Sequence, residues 1–173
     1  MTVLAPMRPM AFESYITAAA AAYAEDNVAA GRWPIEGALE RSCADLADSL
    51  PQGLATPDHY LFEILDGADG PAVGILWFGI VTRHGLRSAF VYDIEIKPEF
   101  RRRGHAKRAF EAMEKLVGAL GLDSIGLHVF GHNPGAQDLY AKLGYRVTGI
   151  NMAKKLGSGA VPAEPGAIGG TNP

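Results

Sequence analysis

The spacing of apolar positions changes along the chain, and each change marks an element. Leu4 to Met10 is short and apolar, which predicts a first strand. Phe12, Tyr15, Ile16, Ala19 and Tyr23 then recur at helical spacing, which predicts an amphipathic helix to about Ala30, with Gly31 at its end. Trp33 and Pro34 begin a new element. Ile35, Leu39, Cys43, Leu46 and Leu50 share one helical face, so a second helix is expected, closed by Pro51 and Gly53. Cys43 lies on that stripe and is expected to be a buried hydrophobe.

The middle of the chain switches to strand character. His59 to Leu65 and Ala72 to Thr82 are separated by Ala68-Asp69-Gly70-Pro71, which reads as a hairpin turn. Arg83, His84 and Gly85 make the next turn. Ala89 to Lys97 alternates, placing Phe90, Tyr92, Ile94 and Ile96 on one face and Val91, Asp93, Glu95 and Lys97 on the other.

A third helix follows Gly104. Its apolar stripe is Ala106, Ala109, Phe110, Met113, Leu116, Val117 and Leu120, and Gly121 is its stop. Ser124 to Phe130 is a short strand. Asn133 and Pro134 are the N-cap and first position of a fourth helix, whose buried stripe is Ala136, Leu139, Tyr140 and Leu143. Tyr145 to Lys155 is a last strand region. The order predicts an α/β (α+β) domain with a mostly antiparallel sheet over residues 1–156. Residues 157–173 are rich in glycine, alanine and proline without periodicity and are expected to be a flexible tail.

Composition narrows the function classes. Apolar residues are 48% and charged residues 20% of the 173, an ordinary globular balance. The net charge of -3 argues against nucleic-acid binding through bulk charge. No apolar run approaches the roughly 20 residues of a membrane span, so no membrane partner is expected. One cysteine excludes an intrachain disulfide and is consistent with a reducing, cytoplasmic setting.

The chemistry concentrates in Tyr92 to Ala109. A strand ends at Pro98, a short turn follows, and a helix opens near Gly104. Small residues at 104 and 106 let backbone approach a ligand. The first amides of a helix lack intrahelical partners and sit at the positive end of its dipole, a geometry that binds phosphate. Arg101, Arg102 and Arg103 add cationic donors, so a pyrophosphate is the suggested ligand. No Gly-Lys-Ser/Thr and no GxGxxG is present, so neither a P-loop nor a dinucleotide fingerprint is read here.

Arg101-Arg102-Arg103-Gly104-His105-Ala106 resembles the Q/R-x-x-G-x-G/A turn of the GNAT superfamily of acetyl-CoA-dependent N-acetyltransferases. The preceding IEIKPEF is similar to that family's fourth strand and its lead-in. Asn133, Ala136, Leu139-Tyr140 and Leu143-Gly144-Tyr145 resemble its second block, in the right order. Ala106 replaces the commoner glycine, and His105 is unusual for its position. The resemblance implies a twisted mixed sheet flanked by helices, with Ala89–Lys97 and Ser124–Phe130 parallel and splayed at the cofactor site.

It also implies transfer of an acetyl group from acetyl-CoA to a primary amine by direct attack, without a metal. Amides from Arg103 to Lys107, including those of Gly104, His105 and Ala106, would cradle the pyrophosphate beside Arg101 and Arg102. The edge at Ile94 and Ile96 would pair with pantetheine, and Asn133 would contact the cofactor arm besides capping its helix. Tyr140 would be the general acid. Glu95 is the first candidate general base and Asp93 the second, because an amine of pKa near 10 must lose a proton before it attacks.

Glu25, Asp26, Glu36 and Glu40 are placed where they could attract a cationic small-molecule or peptide amine. A homodimer is left open. Bland readings stand beside these. His128 reads as a satisfied core histidine, and Trp33, Trp77 and Phe78 as packing. Two rival classes are an acyl-CoA-binding module without catalysis and a nucleic-acid binder using the Arg101–Arg108 cluster.

Overall fold

The computed structural model describes residues 1–152 and 154, so the expected tail at 157–173 lies outside the described residues. Strand β1 (Thr2–Pro6) leads into helix α1 (Pro9–Ala29), and α2 (Ala38–Ser49) follows. Strands β2 (His59–Asp66), β3 (Ala72–Arg83) and β4 (Leu86–Ile96) come next. Helix α3 (His105–Ala119), strand β5 (Ile125–Leu127) and helix α4 (Pro134–Lys142) complete the order. Among the described residues the sheet runs β1-β2-β3-β4-β5. Every neighbouring pair is antiparallel except β4 and β5, which are parallel. This is the mixed, mostly antiparallel sheet flanked by helices that the residue pattern implied.

The sheet is apolar on both faces because helices cover both. On one side Phe110, Met113 and Val117 of α3 pack on Ile64, Leu76, Phe78, Ala89 and Val91. On the other, Tyr15 of α1 meets Leu50, Leu61 and Trp77. Phe78 and Phe110 are fully buried. A side chain of that kind contributes about 1.5–3 kcal/mol when removed from water. Trp77 is structural, with its Nε1 donating to His59 Nδ1 at 2.9 Å.

Several sequence expectations shift. Strand β1 ends at Pro6, and Pro9 already opens α1, since proline suits the first helical turn. The α2 stripe is a core face only at its end, where Leu46 and Leu50 join the cluster around Tyr15. Cys43 is exposed, Ile35 is 82% and Leu39 50% exposed, and the helix buries Ala38 and Ser42 instead. The Ser42 hydroxyl donates to the Ala20 carbonyl at 2.7 Å, so small residues let α2 lie close on α1. Leu116 and Leu120 form the half-exposed rim of the α3 stripe. Residues 145–152 adopt no strand, and Val147, Ile150 and Met152 are exposed.

One ion pair ties the start of α1 to the sheet. Arg8 donates through Nε to Glu63 Oε2 at 2.8 Å and through Nη2 to Oε1 at 2.9 Å. Glu63 is buried, and the hydrogen-bonded guanidinium holds its carboxyl below the usual glutamate range. A depressed carboxyl adds stability that is complete above the unfolded-state pKa and is lost as pH falls through the folded one. Arg8→Gln should therefore lower Tm at pH 7, and the deficit should shrink as melts are repeated toward pH 3. A deficit independent of pH would refute the ionic origin.

Candidate active site

The site is built around β4. Its alternation does not run unbroken, because Trp77 pairs with Asp93 while Phe78 pairs with Val91, which leaves Tyr92 without an opposite residue. The extra residue is a β-bulge, and it reverses the phase of the strand. Ala89, Val91, Ile94 and Ile96 consequently pack on the α3 side. Tyr92 stacks on Trp77 at 4.6 Å and Phe90 meets Tyr92 edge-on, both on the α1 side. The single face predicted for Phe90, Tyr92, Ile94 and Ile96 is thus split in two.

The parallel pairing is brief. Ala89, Phe90 and Val91 face Ile125, Gly126 and Leu127, and the pairing ends there. Among the described residues, β4 from Tyr92 to Ile96 keeps only β3 as a strand neighbour. The two parallel strands stop pairing at the bulge, so the edge of β4 at Ile94 and Ile96 is unpaired on the β5 side among the described residues.

The turn after β4 brings together the residues that the pattern singled out. Gly104 takes φ 79° and ψ 9°, the left-handed region, and serves as the N-cap of α3 without a side-chain cap. The first amides of α3, at His105, Ala106 and Lys107, are left without an intrahelical acceptor. Arg101, Arg102 and Arg103 are exposed around them. Arg101 Nε donates to the Ile96 carbonyl at 2.8 Å, and its Nη2 lies 3.9 Å from Glu95. The Arg103 guanidinium lies over the Phe100 ring at 5.5 Å. Arg108 braces the loop, donating from Nη2 to the Arg103 carbonyl at 2.9 Å and from Nε to Thr2 Oγ1 at 2.8 Å. Lys107 is exposed and pairs with Glu111 at 3.7 Å.

His105 has a different part from its neighbours. Its side chain is buried, with Nδ1 3.1 Å from Thr2 Oγ1, so only its backbone stays at the turn. Asn133 caps α4 as expected, accepting from the Ala136 amide at 3.1 Å.

The candidate proton-handling groups separate by environment. Glu95 is exposed and close to Arg101. Asp93 is half-buried as a residue and sits deep among protein atoms, and its Oδ2 accepts from the Tyr15 hydroxyl at 3.0 Å. Burial is the chief cause that pushes the Asp93 carboxyl up to about 6; the Tyr15 hydrogen bond pulls it down, and Glu95 and Asp26 raise it. Tyr140 is half-buried, edge-on to Phe110 at 5.5 Å and to Tyr145 at 5.9 Å. Burial, and then the Asp93 charge, raise its phenol above the usual value. Among the described residues its hydroxyl has no hydrogen-bond partner.

Asp26 of α1 accepts from His132 at 3.0 Å, and Glu25, Glu36 and Glu40 are exposed. His128 is not a core histidine. It lies just beyond β5, exposed, with Nε2 3.1 Å from Arg32 Nη2. Trp33 packs edge-on against Tyr23 at 5.3 Å. Sequence reasoning missed Tyr15, which it counted only as part of an apolar stripe. The available signal was its type, since a buried phenol needs a partner for its hydroxyl.

The model of the Acetyltransferase (GNAT) family matches residues 20–145. An uncharacterized N-acetyltransferase of Bacillus subtilis strain 168, YycN, is 39% identical over 90% of this chain and 100% of its own length. A second from that organism, YdgE, is 32% identical over 84% of this chain and 92% of its own length. The crystal structure of YycN superposes with a TM-score of 0.84 at 36% identity, covering 90% of this chain and 99% of that one. At 19% identity, AAC(6')-Iy, solved with the bisubstrate analogue CoA-S-monomethyl-acetylneamine, shares the fold with a TM-score of 0.60, over 90% of this chain and 98% of that one. The matched segment spans the β4 bulge, the Gly104 turn and Tyr140, and with these relatives it shows that the chain belongs to the GNAT family of acetyltransferases and is an acyltransferase.

Proposed function

We propose that the protein transfers the acetyl group of acetyl-CoA to a primary amine. The observation that carries this reading is the end of the β4–β5 pairing at Val91, which leaves Ile94 and Ile96 without a strand partner on that side among the described residues, followed along the chain by the start of α3, which has no side-chain cap. The amides of Arg103 to Lys107 fit a pyrophosphate, because Gly104 carries no side chain over them and Arg101 and Arg102 supply charge. The free edge at Ile94 and Ile96 suits the amides of a pantetheine arm, added as an extra strand would be. Asn133, the N-cap of α4, would contact that arm.

Acetyl-CoA supplies an activated thioester carbonyl. A carboxylate of β4 takes a proton from the ammonium form of the acceptor, and the free amine attacks the carbonyl carbon. The carbon–sulfur bond breaks, the Tyr140 hydroxyl gives its proton to the leaving thiolate, and the second proton shed by the attacking nitrogen restores that hydroxyl, leaving the amide, the free CoA thiol and a protonated carboxyl. Asp93 is the better placed base, being enclosed and close enough to influence Tyr140. Glu95, exposed beside Arg101, is the second candidate. Asp26, near enough to raise Asp93, favours a cationic acceptor.

The nucleic-acid reading has less support, because the chain as a whole carries a net charge of -3. One cysteine and no helix, among the described residues, long and apolar enough to cross a membrane fit a cytoplasmic enzyme. The reading is tested by following thiol release from acetyl-CoA against a panel of neamine, spermidine and a lysine-terminated tripeptide. Amine-dependent release supports it. Tight acetyl-CoA binding without release for any amine would favour the non-catalytic module.

A further inference from the structure

Asp93 does not stand alone on β4. The phenol of Tyr15 reaches it across 78 positions of chain, from the buried face of α1, and donates to Oδ2 at 3.0 Å. A tyrosine that served only as packing would find its acceptor in a backbone carbonyl or in water. Here the acceptor is the one enclosed carboxyl at the point where β4 leaves β5.

The arrangement is mechanically stiff. Tyr15 sits in the cluster with Met7, Leu50, Leu61 and Trp77. Trp77 is also the residue opposite Asp93 across the β3–β4 ladder, beside the bulge. The ring that carries the donor and the strand that carries the acceptor are therefore fixed on the same tryptophan. The bulge puts Asp93 on the α1 face; without the extra residue, the side chain at this position would turn to the α3 face.

We infer that Tyr15 is a positioning residue of the transfer reaction, whose hydroxyl holds the Asp93 carboxylate charged and oriented toward the incoming amine. This rests on the reading of Asp93 as the general base. The charge balance around the carboxyl makes the role specific. Glu95 of its own strand and Asp26 of α1 both oppose its ionisation, as does burial, and the neighbouring acid on α4 is the neutral Tyr140. Opposing them are the Tyr15 hydroxyl and the backbone amide of Ile94. Tyr15 is thus the side chain that favours the charged form. Its own ionisation is pushed well above the ordinary range, by burial first and then by Asp93, so it remains a donor throughout the working range. In the reaction the proton leaves the ammonium nitrogen for the carboxylate; Tyr15 keeps its own proton.

The test is Tyr15→Phe, which keeps the ring and removes the donor. A hydrogen bond to a charged group stabilises by roughly 1.5–3 kcal/mol, and 1.36 kcal/mol corresponds to one pH unit. The acidic limb of kcat/KM should move upward by about one to two pH units. The rate at pH 6, near the parent midpoint, should then fall about fivefold to fiftyfold, while the rate at pH 8.5 stays within severalfold of the parent. The substrate is whichever amine of the panel named above turns over fastest. In parallel, the carboxyl carbon of Asp93 is titrated by NMR in 13C-labelled protein without substrate, with Asp93→Asn identifying the signal. Its midpoint should rise with the limb. A purely structural role would lower the rate equally at every pH and leave the limb in place, and that result overturns the inference. If Asp93→Asn loses activity but Tyr15→Phe moves neither limb nor midpoint, Tyr15 is dismissed and Asp93 stands as the base. If Asp93→Asn keeps the full rate, the base reading itself fails, and the role of Tyr15 with it.

Discussion

Gly104→Arg is expected to weaken acetyl-CoA binding by about a hundredfold or more, which corresponds to about 2.7 kcal/mol. Two effects add. Gly104 takes φ 79°, where a residue with a Cβ is strained by about 1–2 kcal/mol. A Cβ there would also lie 2.7 Å from Arg108 Nη1. That guanidinium can swing aside, but it holds the loop by donating to the Arg103 carbonyl, so moving it loosens the cradle. The new side chain would then cover the amides that the pyrophosphate needs. Calorimetry with acetyl-CoA measures the loss, and Gly104→Ala separates backbone strain from obstruction, with a smaller decrease expected. A Gly104→Arg protein that is folded and binds as tightly as the parent would remove this turn from the cofactor site.

Tyr140→Phe is expected to lower kcat by about tenfold to a thousandfold with acetyl-CoA affinity nearly unchanged. The substitution keeps the edge-on contacts to Phe110 and Tyr145, so the packing survives. What it removes is the hydroxyl proposed to protonate the thiolate. Because burial and Asp93 raise the Tyr140 phenol above its ordinary value, the acid form persists through neutral pH and is lost only as pH rises past that raised value. The parent should show that basic limb in kcat, and the variant should lack it. An unchanged kcat, with chemistry shown to be rate-limiting, would leave Tyr140 as a core residue only.

The features legible in the sequence are those decided by neighbours within a few positions. Asn133-Pro134 opens α4 because an Asx cap and a proline at the first turn need only the next residues. The Arg83-His84-Gly85 turn joins β3 to β4 in the same way, with His84 and Gly85 both at positive φ. The Gly104 turn was readable for the same reason, since a glycine between a strand end and an apolar helical stripe sets its own backbone angles.

What depends on distant partners was not legible. The bulge at Tyr92 arises from pairing with β3, and it moved Ile94 and Ile96 to one side of the sheet and Asp93 to the other. Strict alternation along β4, read alone, cannot show an inserted residue. His105 looked like part of the cofactor turn, yet its ring is drawn inward to Thr2, about a hundred positions earlier. The α2 stripe of Leu39 and Cys43 had the period of a buried face, but α1 accepts the small face of Ala38 and Ser42 more closely.

By itself the sequence determined the family, the Gly104 strand-to-helix turn and the helix that carries Tyr140, because short backbone geometry and local motif spacing carry them. The tertiary structure decided which carboxylate is enclosed and what holds it. Asp93 and Glu95 are two residues apart on one strand and chemically alike, and local pattern, which put Glu95 first, cannot show which of them is enclosed. Burial beneath α1 and a hydroxyl from Tyr15 distinguish the first, while the second is left in solvent beside Arg101. Desolvation and long-range hydrogen bonds come into being only when the chain is folded, so that part of the site exists only in three dimensions.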